Sequence, residues 1–481
     1  MESHRTKSEV LLALIRTGKP MTWMQQVQLT VWLSLPAVVA QLSAIVMHYI
    51  DAAMVGSLGA EEAASIGLVS TTMWLFFGLC GAAATGFSVQ VAHKIGANDC
   101  EGAKDVLRQS FTAITLFSLS LASVGVLISG QLPVWLGADL SIRANASLYF
   151  MLFSLFLPAL QMSYLAGGML RCSGNMHIPS MLGVVMCVLD VVFNFFFIFP
   201  SRDIQLWNLT LSVPGAGWGV VGAALGTGAA ECIASSILIW YLWTRSSQLR
   251  LVGSRGSFRP QAVTLNHALR IGLPMGLEHL VICGAQIMTT VIVAPLGVIA
   301  IAANSFSITA ESLCYMPGYG IADAATTLVG QSMGAGRRRL TRSFAYITVG
   351  MGMLVMGVMG WLMYVAAPQI IGLMTPVEEI RQLGVEILRI EAYAEPMFAA
   401  SIVAYGVFVG ATDTLVPCLM NFFSIWAVRL SLAFLLAPRY GLKGVWIAMC
   451  VELCFRGAIF LIRLVRGRWM KLLQTVPLKR C

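Results

Sequence analysis

The sequence predicts an all-α membrane protein with twelve transmembrane helices. They form two parallel six-helix lobes related by a pseudo-two-fold axis along the membrane normal. Three observations predict this fold. Of the 481 residues, 58% are hydrophobic and only 11% are charged, against roughly 25% charged in a soluble domain. The apolar runs are continuous and reach the roughly 20 residues that a helix needs to cross a bilayer. The chain also matches itself at an offset of 238 residues.

At that offset, Leu35-Pro36 falls on Leu273-Pro274, Leu58-Gly59 on Leu296-Gly297 and Gly96-Ala97 on Gly334-Ala335. Pro158, Gly168, Pro179 and Pro200 fall on Pro396, Gly406, Pro417 and Pro438. One membrane unit is built twice, and a doubled unit in a bilayer places its site where the halves face each other. Only helices or closed barrels pair every backbone group within lipid. Continuous runs, not alternating ones, select helices.

Twelve spans follow, near 28–53, 62–88, 109–130, 146–168, 179–199, 217–243, 268–293, 300–325, 344–366, 384–407, 415–436 and 442–463. Residues 1–26 form an N-terminal segment without a signal-peptide core, in which Glu9 to Ile15 reads as a short surface-lying helix. Residues 27–244 form the first lobe, 245–266 a basic linker, 267–465 the second lobe and 466–481 a tail. With the N-terminus inside, 23 Lys and Arg residues lie on the inner side and six on the outer side. From that bias both termini are expected in the cytoplasm, and the protein is expected in the cell (inner) membrane. The net charge of +9 is spread over short loops, so it marks topology, not a nucleic-acid partner. The eleven cysteines form no CxxC pair, which gives neither a zinc motif nor a disulfide framework.

Prolines inside spans one, four, seven and ten (Pro36, Pro158, Pro274, Pro396) are expected to bend those helices. Ser201 to Ala216 is an outer loop of the first half alone; beyond it Gly219 and Gly222 match Gly441 and Gly444 at an offset of 222. Asn208-Leu-Thr in that loop fits a glycosylation acceptor.

Ionisable residues within spans are expensive and face cavities or partners. Gln41, His48 and Asp51 share one face of span one, and Asp190 and Asn194 one face of span five. Thr227 on span six reaches a similar depth. Two carboxylates, an amide and a hydroxyl suit a proton or Na⁺, because hard cations prefer oxygen ligands. Asp51, Asp190 and Asn194 are the candidates for holding Na⁺. In the second half these positions become Thr289, Val428 and Leu432, so ion coupling is expected in the first lobe. Glu278, Gln286 and Thr289 on span seven are expected, with Gln41 and His48, to line a substrate cavity. Glu231, Glu311, Glu391, Glu395 and Glu452 are weaker candidates. Glu452 and Arg456 are spaced as an internal ion pair. The 26 methionines and the run Phe193, Phe195, Phe196 and Phe197 suit flat cationic ligands.

YIDAAMVGSLG on span one, GFSVQVAHKIGAND after span two and ATTLVGQSMGAGR after span eight resemble the multidrug and toxic compound extrusion (MATE) family. The resemblance covers Leu35 to Val465, and its most specific part is the pair His93 to Ala97 and Gln331 to Ala335. It implies a cation-coupled antiporter, driven by H⁺ or Na⁺, that exports organic cations without a cofactor. Asp51, Asp190, Asn194 and Thr227 match the family's polar positions on spans one, five and six. The span-five pair runs Asp then Asn where a common family version runs Asn then Asp. This leaves the ion unidentified. Another branch places a carboxylate on span ten, where Phe398 stands here.

The rival within the same superfamily is a flippase for a lipid-linked precursor. It needs a cationic cavity, and only Arg429 and Arg456 lie deep within spans. A membrane enzyme needs a constellation at one depth, and His48 and His279 sit in separate lobes. We expect a non-enzymatic monomer whose partners are the lipid bilayer and a small-molecule substrate.

Overall fold

Apolar runs long enough for a bilayer appear as long helices in the computed structural model, which describes residues 7–206 and 209–470. Among the described residues, eleven helices can each cross a membrane, and a bent pair supplies the twelfth span. A short helix, α1 (Lys7–Arg16), precedes the bundle. The first lobe comprises α2 (Trp23–Gly56), α3 (Ala60–Gly96), α4 (Cys100–Ile128), the one-turn α5 (Leu132–Trp135), α6 (Leu140–Cys172), α7 (His177–Ile198) and α8 (Gly219–Thr244). A β-hairpin, β1 (Pro200–Leu206) and β2 (Leu209–Ala216), joins α7 to α8 and occupies the loop unique to this half. Asn208 of the glycosylation-like triplet lies outside the described residues.

The second lobe comprises α9 (Ala262–Val293), α10 (Val298–Gly334), α11 (Arg338–Met374), the pair α12 (Glu378–Ala392) and α13 (Glu395–Gly410), then α14 (Leu415–Phe423), α15 (Ser431–Tyr440) and α16 (Leu442–Arg466). Pairings repeat between lobes. α3–α6, α6–α8 and α7–α8 of the first correspond to α10–α13, α13–α16 and α15–α16 of the second. Each lobe's first long helix crosses to the other's second, α2 against α10 and α9 against α3. Backbone turns repeat even where the residue does not. Gly174 and its equivalent Thr412 both take positive φ, +96° and +63°. Such a φ is uncommon for a β-branched residue.

The prolines act unequally. Pro36, Pro158 and Pro274 lie inside unbroken helices. Span ten instead breaks by 56° between α12 and α13. Pro396 starts α13, where its missing N–H leaves no helix bond unmade. Span eleven contains a π-helical stretch, Ser424–Leu430, while its counterpart α7 is a regular helix.

The N-terminal helix is not surface-lying. Leu11, Leu12 and Ile15 are buried against Met176 of the first lobe and Leu328, Leu340 and Phe344 of the second. α1 is a wedge in the seam between the lobes.

Candidate functional site

In the first lobe, α2, α7 and α8 bring Asp51, Asp190, Asn194 and Thr227 together. Asn194 donates from Nδ2 to Asp51 Oδ1 at 3.0 Å. Asp190 is fully buried, and neither of its carboxylate oxygens has a hydrogen-bond partner. Asp51, Thr227, His48 and Asn194 stand around it, and Tyr149 lies near both acids. Gly226 makes this convergence possible. A Cβ added there would lie 2.1 Å from Asn194 Oδ1 and 3.0 Å from its backbone N, so only glycine lets α8 approach α7 this closely. His48 is exposed and Gln41 half-buried, on the open side of α2. The His48 ring lies 6.2 Å from the Trp74 ring.

The second lobe holds carboxylates that the repeat comparison undervalued. Glu391 and Glu395 flank the break in span ten and are fully buried, and none of their four oxygens has a partner. Glu311 on α10 faces both of them. Glu452 on α16 accepts from Arg429 Nε at 2.9 Å, Arg429 Nη2 at 2.7 Å, Ser424 Oγ at 2.6 Å and Arg456 Nη2 at 3.2 Å. Arg429 sits on the π-helical stretch, and widened turns of this kind often mark functional positions. The acid set of the second lobe is therefore relocated to spans eight, ten and twelve. The signal was present in sequence as Glu391 and Glu395, one helical turn apart beside Pro396. Phe398, at the position where a span-ten carboxylate was sought, lies under the Arg456 guanidinium at 5.5 Å.

The span-seven candidates do not converge. Glu278 is buried, accepts from Asn421 Nδ2 on α14 and leaves Oε2 unpartnered. Gln286 is exposed, about 12 Å further along the axis by the helical rise. The Thr289 hydroxyl returns to its own helix, donating to Ala285 O at 2.9 Å. Among the described residues no three His, Cys, Asp or Glu side chains group as a metal site.

The bundle is closed at the end that carries the linker and the N-terminal helix. His93 Nε2 lies 2.7 Å from Gly410 O, and Gln331 Nε2 donates to Cys172 O at 2.8 Å. These contacts are copies of one another, since donors and acceptors both differ by 238 positions. Between them Gly96 and Gly334 bring two backbones together. A Cβ on either would lie 2.0 Å from the carbonyl of Gln331 or His93. α1 seals the same seam. Arg16 Nη2 donates to Ser173 O of the first lobe at 3.2 Å and to Gln331 Oε1 of the second at 3.3 Å. Arg337 in turn donates to Leu14 O at 2.9 Å.

The family comparison has the same doubled form. The MatE family profile matches twice, over residues 36–196 and 274–435. The chain belongs to the MatE family. Among its relatives it is 25% identical over 452 residues to a probable multidrug resistance protein NorM of Thermotoga maritima, covering 91% of this chain and 92% of that one. It is 27% identical over 422 residues to its namesake in Pseudomonas aeruginosa, covering 85% and 83%. A solved MATE transporter in complex with MaL6 superposes with a TM-score of 0.85 at 20% identity, covering 98% of this chain and all of that one. A variant of a Vibrio cholerae MATE transporter gives 0.80 at 20% identity, covering 98% and 99%. These superpositions establish the two-lobed transporter fold.

Proposed function

We propose that this chain is a cation-coupled antiporter that exports organic cations by alternating access. The observation that carries the reading is Asp190, fully buried with both oxygens unpartnered, beside Asp51 and Asn194. A buried carboxylate persists only when paired, protonated or bound to a cation. No basic side chain bonds to it, so a proton or Na⁺ is the natural partner. Binding the ion would neutralise this pocket and change how α2, α7 and α8 pack. A ligand shifts such an equilibrium only by its differential affinity for the two states. The relatives' names as multidrug resistance proteins supply the substrate class.

The Lys and Arg bias supports a cytoplasmic position for the closed end, and on that reading the form described here is the outward-facing one. The unpartnered Glu391 and Glu395 add a second store of buried acid. The working reading is that both lobes titrate, not the first alone. The flippase reading loses its support, because Arg429 and Arg456 both bond Glu452.

The test is transport in proteoliposomes with separately imposed Na⁺ and pH gradients. Export of an organic cation should follow one of the two gradients in wild type and fail to follow either in Asp51→Asn. Equal gradient-driven export by that variant sinks the assignment.

A further inference from the structure

We propose that the second lobe binds one anionic phospholipid in the groove between α14 and α16. The groove encloses about 500 Å³. Its wall is apolar, formed by Leu419, Met420, Phe423, Phe455 and Ile459, and its far end carries Arg463, Arg466 and Arg468. Leu419 and Phe423 are exposed at the bundle's outer surface, which the bilayer covers. From Phe455 to Arg466 the helix rises roughly 16 Å at 1.5 Å per residue. That is close to one leaflet's share, roughly 15 Å, of the hydrocarbon core. An acyl chain laid along the wall therefore brings its phosphate to the arginines.

The three arginines are not equivalent. Arg463 is committed to Asp413, with Nε donating to Oδ2 at 3.1 Å and Nη2 to the same oxygen. Arg466 and Arg468 have no ion pair or hydrogen bond among the described residues. They are nonetheless held in place. Gly467, at φ +66°, turns the chain at the end of α16, and Trp469 then anchors the next turn. Its ring is 1% exposed, lies 6.1 Å from the Phe408 ring and donates from Nε1 to Leu464 O at 3.0 Å.

The first lobe provides the internal contrast. At the offset of 222, Tyr241, Thr244 and Ser246 stand where the second copy has Arg463, Arg466 and Arg468, and Asn175 stands for Asp413 at 238. The Asn175 to Tyr241 hydrogen bond, 3.4 Å, makes the same junction with neutral groups. The wall stays apolar in both copies, with Leu182, Val185, Ile233 and Ile237 as equivalents of Met420, Phe423, Phe455 and Ile459. The change is confined to the rim, and it adds positive charge where a headgroup would sit. Basic pockets between helices on this side of a membrane suit anionic headgroups. The leaflet assignment rests on the proposed orientation; the binding itself does not depend on transport.

The test is native mass spectrometry of the full chain, released from detergent with equal amounts of phosphatidylglycerol and phosphatidylcholine of identical acyl chains. Wild type should retain one phosphatidylglycerol preferentially. The double variant R466A/R468A should bind it roughly thirtyfold more weakly, about fivefold for each arginine near a membrane surface. R466K/R468K should keep the preference. T244A/S246A, at the equivalent rim of the first lobe, should match wild type, and unchanged thermal unfolding would show that each variant is folded. Leu419→Trp, which fills the groove, should weaken retention with the arginines intact. Glycerol phosphate, the headgroup alone, should not displace the lipid. Equal retention of the two lipids by wild type, undiminished binding by R466A/R468A, or displacement by glycerol phosphate would each overturn the proposal.

Discussion

Replacing Arg16 with alanine should loosen the closed end of the transporter. Burial pushes the Arg16 guanidinium down to about 10, partly offset by Cys100 and Glu9, so it stays charged at neutral pH. It holds Ser173 O in one lobe and Gln331 Oε1 in the other, at 3.2 and 3.3 Å, and the Gln248 amide faces it too. Opening the seam requires α1 to leave one lobe, which breaks at least one charge-assisted hydrogen bond. Such bonds contribute about 1.5–3 kcal/mol. At these lengths the lower figure applies, and it corresponds to roughly tenfold in the closed-to-open ratio. The assay is pulsed electron spin resonance between labels at Arg245→Cys and Arg339→Cys, in a background with accessible native cysteines replaced. Arg16→Ala should add a longer-distance population, and deleting α1 should enlarge it. A distance distribution identical to the parent's in both variants would refute the latch.

Four further outcomes follow from the same geometry. Gly226→Ala should lower stability by about 1–3 kcal/mol, the usual range for an overpacked core, because its Cβ meets Asn194 at 2.1 Å; thermal unfolding checks this. Glu452→Ala should cost about 3–5 kcal/mol, since it strands Arg429 and Arg456 in the second lobe, and Glu452→Gln should recover part of the loss. Gly334→Leu should hold the two lobes apart at the His93 carbonyl, read as faster alkylation of a cysteine at Thr327, buried against Arg171 O. Paired replacement of Glu391 and Glu395 by glutamine should leave the fold intact and change the pH dependence of export in proteoliposomes; an unchanged profile would return all coupling to the first lobe.

The first-lobe cluster was legible because its signals are local. Asp51, Asp190, Asn194 and Thr227 are polar residues in apolar helices, and counting along each helix from its end gives their depth. The span count and the duplication were legible for the same reason, since hydropathy and the 238-residue offset need no contacts. The second-lobe acids were visible one by one, but not as a group. Glu311, Glu391, Glu395 and Glu452 lie on three different spans, and only packing shows that two of them have no partner while another has two arginines.

The sequence by itself determined the twelve spans, the two copies and the first-lobe polar set, because helix periodicity and lipid chemistry act over a few turns. Tertiary structure alone decided three things. It turned α1 from a surface helix into a wedge, because its apolar face fits the seam between lobes. It broke span ten and kept its proline equivalent in span four inside an unbroken helix, because neighbours decide whether a proline bends or ends a helix. It also assigned His93 and Gln331 their partners, Gly410 and Cys172. Those partners are backbone carbonyls, which carry no side-chain identity, so no pattern of residues could have named them.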